Sequence, residues 1–255
     1  MATTVAAVAY CGTPPDPAAL WISWNLDPVL IGFLLLAAGG YALSMVRRPN
    51  QPSRGRRLSF YAGWAVVSAA LVSPLCSLSV SLFAARVGQH MVLALIAAPL
   101  LAFGLPRARP LPIGSLGAAM AFAILLWVWH GPAPYSATFR SDAVYWAMHI
   151  STFGAAVWLW STLLDDRPTQ TIPTMLAGLF STVQMGLLGA LITLAPRPLY
   201  WPHALTTIAW GLSPLQDQQL GGGIMWIPGC TAFLVVAMLR LGRLLADEPL
   251  RPAQS

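Results

Sequence analysis

The placement of the basic residues constrains this chain more than any other feature. It has fourteen arginines and no lysine, and most of the arginines fall in alternate gaps between long apolar runs. Stretches able to cross a bilayer of about 30 Å, which takes roughly 20 helical residues, begin near Pro28, Leu58, Val87, Leu111, Ala143, Ile172 and Gly223. They predict an all-α fold, an integral membrane bundle of seven transmembrane helices. The first gap holds Arg47, Arg48, Arg54, Arg56 and Arg57. Arg107 and Arg109 sit near Pro106, Arg167 lies between the fifth and sixth spans, and Arg240, Arg243 and Arg251 follow the last. With seven spans all of these share one side, which the arginine excess marks as cytoplasmic. Only Arg86, Arg140 and Arg197 fall on the other. The N-terminus is then outside and the C-terminus cytoplasmic. Residues 1–27, with no basic n-region and no convincing cleavage site, read as an external arm and not a signal peptide. Residues 28–245 form the membrane domain and 246–255 a cytoplasmic tail.

Composition agrees with one integral domain. Charged residues are 9% and hydrophobic ones 57% of the chain, against about 25% charged in typical soluble proteins. A net charge of +6 would otherwise suggest nucleic acid. Here the charge is spread over short turns, where it orients helices, so lipid and not nucleic acid is the expected surrounding. Cys11, Cys76 and Cys230 are too few and too scattered to predict a disulfide framework. Tyr61, Trp64, Tyr135, Tyr145, Trp146, Tyr200, Trp201 and Trp226 lie mostly near span ends, as interface anchors do. No dinucleotide-binding GxGxxG unit, Walker sequence, CxxC or HExxH is present. Asp165 and Asp166 read as a solvated cytoplasmic helix end, and the single glutamate, Glu248, is in the tail. A hydrolase would have to be built from Asp217 and histidines alone, so the expectation is that the chain is not an enzyme.

Polar and helix-disturbing residues crowd the outer side. Ser73, Pro74 and Cys76 end the second span; Arg86, Gln89 and His90 open the third; Trp129 and His130 close the fourth before Gly131, Pro132, Pro134 and Tyr135. His149 lies about two turns below the outer end of the fifth span. The longest outer connection, 195–223, reads equally as a surface-lying helix or a folded cap. All four histidines, His90, His130, His149 and His203, map to this half. Ionisable residues near the apolar region are costly and are functional candidates by default. His90, His130 and His149 enter from three different spans, as a ligand set in a bundle must, with Met91, Met148 and Met225 at comparable depth and Cys76 nearby. Imidazole with soft sulfur favours copper, and less specifically zinc or iron. The competing reading is satisfied interface histidines with methionine as packing filler. Asp217 and Gln218 precede Gly221, Gly222 and Gly223. Asp217 could cap the start of the seventh span, attract a cationic partner, or pair with Arg86 or Arg140.

Several runs together resemble the CtaG family of cytochrome c oxidase assembly factors over roughly residues 58–241. They are Ser73-Pro74-Leu75; Gln89-His90-Met91 followed by Ala98-Pro99-Leu100-Leu101 and Gly104-Leu105-Pro106; Trp129-His130-x-Pro132 with Tyr135; His149; Pro198-Leu199-Tyr200; and, most specific, Asp217-Gln218-Gln219-x-Gly221-Gly222-x-x-Met225-Trp226. The resemblance implies a multi-pass protein of the bacterial cytoplasmic (inner) membrane. It implies a role in maturing a haem-copper oxidase, assisting copper delivery or insertion at the outer face, with the oxidase's copper-carrying subunit as partner. One departure stands out. Family members commonly carry a second histidine four residues before the one matching His90, where this chain has Arg86.

Three readings therefore stand before the fold is known. In the first, His90, His130 and His149, with Met91 and Met225 as soft auxiliaries, hold copper transiently, and Asp217, Gln218 and Arg86 serve the outer mouth. In the second, the chain is a metal-free structural chaperone or accessory subunit of the oxidase, using Tyr200, Trp201 and Trp210 for protein contact. In the third, two histidines ligate a b-type haem in a membrane redox protein.

Overall fold

The computed structural model describes residues 9–47, 51–106 and 114–246. Arg48, Arg107, Arg109 and Arg251, the expected start of the fourth span at Leu111, Glu248 and the tail beyond Ala246 lie outside the described residues. Among the described residues the fold is all-α, without strands. The helices are α1 (Pro28–Val46), α2 (Arg54–Val72), α3 (Pro74–Ser81), α4 (Phe83–Val92), α5 (Ala98–Gly104), α6 (Gly114–His130), α7 (Pro132–Ala137), α8 (Asp142–Leu163), α9 (Thr171–Leu194) and α10 (Pro214–Ala246). A helix stands at each place where a span is expected. By length and apolar composition four of the described helical runs qualify to cross a membrane: α1, the run Phe83–Gly104, Pro168–Leu194 and α10. The pair α2 and α3, bent by 50°, makes a fifth, and α6 is a shorter apolar helix.

Local chemistry sets the boundaries. Asp27 accepts the Val29 N–H at 2.8 Å, and Pro28 occupies the first turn of α1, where its missing N–H costs nothing. Ser73 ends α2 in an extended conformation because Pro74 follows it, and its hydroxyl caps α3 at the Leu75 N–H. Between α4 and α5 the backbone widens into a π-helical turn over Leu93–Ala97. Pro99 supplies the cause: it has no N–H to give the Leu95 carbonyl, and its ring crowds that oxygen. Trp160 of α8 uses the distortion, donating its indole N–H to the Ala94 carbonyl at 2.8 Å.

The outer connection resolves into a folded cap. Residues 195–213 contain two 3-10 turns, Trp201–His203 and Ile208–Trp210. Gly211 then adopts φ +72°, a left-handed conformation that favours glycine. Ser213 caps the following helix through the Gln216 N–H at 3.2 Å. The last helix accordingly starts at Pro214, about two and a half turns before its expected start near Gly223. Inside the cap Tyr200, His203 and Thr207 are buried. Tyr200 is therefore not free for protein contact, whereas Trp201 is 80% exposed.

Three apolar clusters organise the interior. The largest joins α4, α6, α8, α9 and α10 through Phe122, Leu159, Trp160, Met185 and Phe233. A second packs α1 on α2 and α5 through Leu34, Tyr41, Phe60 and Leu101. A third, at the outer end, gathers Cys11, Cys76, Val80, Tyr145 and Met148. Cys11 and Cys76 form a disulfide with 5.4 Å between their Cα atoms. This corrects the expectation from cysteine count: sequence separation hid a pairing that folds the N-terminal arm onto α3. At the opposite end of the bundle Asp166, expected to be merely solvated, accepts from Arg240 at 3.1 Å and Arg243 at 2.7 Å. Outward faces remain apolar, with Val29, Leu36, Leu191 and Ile227 exposed, a surface suited to lipid and not to water.

Helices α9 and α10 approach closely. A Cβ built on Gly189 would stand 2.7 Å from Trp226 Cβ and 2.9 Å from its Cα, closer than carbon atoms can pack. Small residues permit such approaches where lipid gives helices no hydrophobic drive to associate. Gly189→Leu is expected to destabilise the protein by at least the roughly 1–3 kcal/mol of core overpacking, read as a lower melting temperature in mild detergent. Gly39→Ala, facing open space, is expected to be neutral. Equal melting of wild type and Gly189→Leu would refute the seam.

Candidate metal centre

Two helices bring histidines together in the half of the bundle that lies under the 195–213 cap. On α4, Arg86 and His90 are one turn apart and share a face. On α8, Tyr145, His149 and Thr152 do the same. The His90 and His149 rings approach to 5.0 Å between centroids. His149 Nδ1 lies 3.1 Å from the Tyr145 carbonyl. If that nitrogen carries the proton, as a carbonyl partner requires, Nε2 is left with its lone pair available. A cavity of about 10 Å³ is lined by His90, Leu93, Ala94, His149, Thr152 and Phe153. That is room for about one water molecule or ion. His90 Nε2, His149 Nε2 and Thr152 Oγ1 are all buried without a hydrogen-bond partner. Buried polar atoms are ordinarily bonded, and three around one small cavity form a donor set that fits a small cation taking imidazole nitrogen.

The remaining expected ligands lie elsewhere. His130 does not line the cavity; its Nδ1 sits 2.8 Å from the Leu126 carbonyl, and its own carbonyl accepts from Tyr200 Oη at 2.9 Å. Met91 and Met225 are buried in the largest apolar cluster and do not line the cavity. Cys76 is engaged in the disulfide. No group of three or more His, Cys, Asp or Glu side chains able to hold a metal occurs among the described residues. Thr152 was missed by sequence reasoning, although its position three residues after His149 places it on the same helix face.

Arg86 lies just outward of the pair, 2% exposed. Its guanidinium is 4.4 Å from the Phe139 ring centroid, 5.1 Å from Tyr135 and 5.6 Å from Tyr145. Nη2 donates to Thr138 Oγ1 at 2.7 Å. Aromatic faces stabilise a desolvated guanidinium by up to about 2 kcal/mol each, and they are its surroundings in place of a carboxylate. Asp217 does not pair with it. The Asp217 carboxylate is fully buried and accepts the Phe83 N–H at 2.7 Å and the Ala84 N–H at 3.0 Å. Asp217 is thus a helix cap, but for α4 and not for its own helix. Gln218 fastens the cap segment, accepting the Leu199 N–H at 2.6 Å and donating to the Ile192 carbonyl at 3.1 Å.

The chain matches the family of cytochrome c oxidase caa3 assembly factors over residues 39–247. It belongs to that family. Neither a curated protein nor a solved structure matches it. The matched range contains both members of the histidine pair, Arg86 and the Asp217–Gln218 clamp, but not Cys11.

Asp217→Asn keeps one acceptor oxygen and turns an NH2 group toward the second backbone N–H. It is expected to destabilise the fold by about 1–3 kcal/mol, the cost of an unsatisfied buried donor, and Asp217→Ala by more. Unchanged melting of the Asn variant in detergent would show that one acceptor suffices. His203, in the cap, lies 2.6 Å through Nε2 from Tyr135 Oη. Burial, with Arg86 close by, pushes its imidazole down to about 3. The folded form therefore keeps it neutral while the unfolded chain protonates below about 6.5. Its contribution to stability is full above pH 6.5 and is lost as pH falls toward 3. His203→Gln is expected to flatten this part of the melting-temperature profile; a profile as steep as wild type would remove His203 as its source.

Proposed function

We propose that this assembly factor holds one copper(I) ion transiently between His90 and His149 and passes it to the copper-carrying subunit of the oxidase at the outer face of a bacterial cytoplasmic membrane. The observation that carries the reading is the convergence of His90, His149 and Thr152 on one cavity, with three unpartnered polar atoms. Two imidazoles suit copper(I), which accepts few ligands, and a sparse site releases its ion readily. A porphyrin has no slot between these two rings at a cavity volume of about 10 Å³, so the haem reading draws no support from this pair. No catalytic step is part of the proposal.

The accompanying topology is seven crossings with the arm outside. The arginine asymmetry supports it. So does the Cys11–Cys76 disulfide, since such bonds persist in oxidising compartments. A metal-free scaffold is the second reading. It is favoured by Arg86, a fixed cation beside the pair, and by exposed Trp201, Leu205 and Ile208 on the cap, which offer an apolar surface to another protein.

Anaerobic copper(I) titration of the detergent-purified protein against a chelator separates the two. The copper reading expects one ion per oxidised chain and at least tenfold weaker binding in His90→Ala and in His149→Ala. Equal affinity in both variants would overturn it. Copurification of oxidase subunits with a protein that binds no copper would establish the scaffold instead.

A further inference from the structure

The sulfur pair stands directly above the histidine pair, linked to it by one residue. Tyr145 Oη is 3.3 Å from Cys11 Sγ and 3.9 Å from Cys76 Sγ. The Tyr145 ring lies 4.1 Å from the His149 ring, which is 5.0 Å from His90. Asn25 Nδ2 adds a donor 3.5 Å from Cys76 Sγ. A disulfide sulfur is a weak acceptor with little need of such donors. A thiolate gains from them, and from a cation such as Arg86, which lies over the Tyr145 ring. From this arrangement we propose that Cys11 and Cys76, once reduced, form a second soft-metal site at the outer mouth, which receives copper(I) before the histidine pair, and that oxidation to the disulfide closes it. The choice of ion rests on the copper reading of His90 and His149.

Access and closure are both built into the outer end. A cavity of about 550 Å³, lined by Ala9, Gly12, Val80, Phe139, Arg140 and Trp201 among others, opens beside Cys11. It gives an incoming metal donor an approach from outside. Around Cys11 the arm is held over the mouth by Ser77 Oγ donating to the Cys11 carbonyl at 3.2 Å, by Ser81 Oγ donating to the Pro15 carbonyl at 2.9 Å, and by Tyr10 stacked 4.8 Å from Tyr145 and edge-on to Trp146. Further along, Ser77 Oγ donates to the Ser23 carbonyl at 2.7 Å and Asn25 donates to the Val72 and Leu71 carbonyls at 2.9 and 3.2 Å. Cutting the covalent link leaves the arm to these non-covalent contacts, which keep both thiols at the mouth. A dithiol reductant opens the bond by exchange, giving two electrons and two protons to this chain's sulfurs and becoming a disulfide itself. As copper(I) binds, two S–H bonds break, two S–Cu bonds form and two protons leave to solvent. When the ion moves on, the thiols regain their protons. A disulfide oxidant then removes two electrons and two protons to restore the link.

The test compares the full chain, purified in detergent, before and after reduction by a phosphine that is then removed. Copper(I) is titrated under argon against a colorimetric chelator. The oxidised protein is expected to bind one ion. The reduced protein is expected to bind two, with a new near-ultraviolet thiolate-to-copper band and protection of Cys11 and Cys76 from alkylation. Cys230 is a free thiol in both states and cancels. His90→Ala/His149→Ala is expected to lose the ion of the oxidised state and keep the one gained on reduction. Cys11→Ser/Cys76→Ser is expected to bind one ion under both conditions. Equal stoichiometry in oxidised and reduced wild type, without the band, overturns the outer site even if the histidine variant still loses its ion. The wild-type comparison needs no substitution, so a misfolded cysteine variant does not blunt it.

Discussion

The bond from Asp217 to the start of α4 is the constraint on which the outer half depends. The first N–H groups of a helix have no partner within it, and away from water each unpaired one is costly. Leu82 is extended and provides no side-chain cap, so α4 must find its acceptor elsewhere. Asp217, one turn into α10, offers two acceptor oxygens to the positive end of the helix dipole. This fixes where α4 begins and how it is turned about its axis. The rotation in turn sends Arg86 toward the rings of Tyr135, Phe139 and Tyr145 and His90 toward His149. Gly221, on the same face one turn after Asp217, lets α10 come against Phe83: a Cβ there would meet the ring at 2.5 Å.

The π-helical turn provides the second half of that alignment. A regular helix through Pro99 would leave the Leu95 carbonyl crowded and unpaired. The chain instead adds a wide turn that begins three residues after His90, and Leu93 and Ala94 of that turn line the cavity. Trp160 secures the same turn from α8, the helix that carries His149. The site is therefore held from above by a carboxylate at the helix start and from below by an indole. Neither residue touches the cavity.

How far these relations were legible in the sequence depends on their range. Apolar runs and arginine gaps are local, and helices stand where they place them. Pro74, Pro132 and Pro214 mark helix starts for a local steric reason. The run from Asp217 to Trp226 carried the family, yet which helix Asp217 caps depends on a partner 134 residues away, and nothing local reports it. The histidines behaved likewise: depth along each span was readable, but rotation was not, so His130 seemed equivalent to His149 although only His149 shares the cavity with His90. Cys11 and Cys76 are 65 residues apart, a separation that spacing rules do not read. The cap over 195–213 was ambiguous because its apolar and proline-rich sequence suits several irregular paths; burial of Tyr200 and His203 selects one.

Arg86 poses the sharpest physical question for the proposed copper reading. A guanidinium close to a bound cation weakens binding, and in a poorly hydrated site the repulsion is screened little. Its charge, however, is spread against three aromatic faces and tied to Thr138, so it is held on the outer side of the histidine pair. A tight storage site would gain from a histidine at this position, adding a ligand one turn from His90. A transfer site gains from the opposite: two imidazoles to catch the ion and a fixed positive charge to keep the bound state shallow. The same charge favours any anionic thiolate formed above Tyr145. If the two proposed copper sites exist, the arginine weakens the inner one and favours the outer one, bringing their affinities toward each other, the condition under which an ion passes between neighbouring sites without being trapped in either.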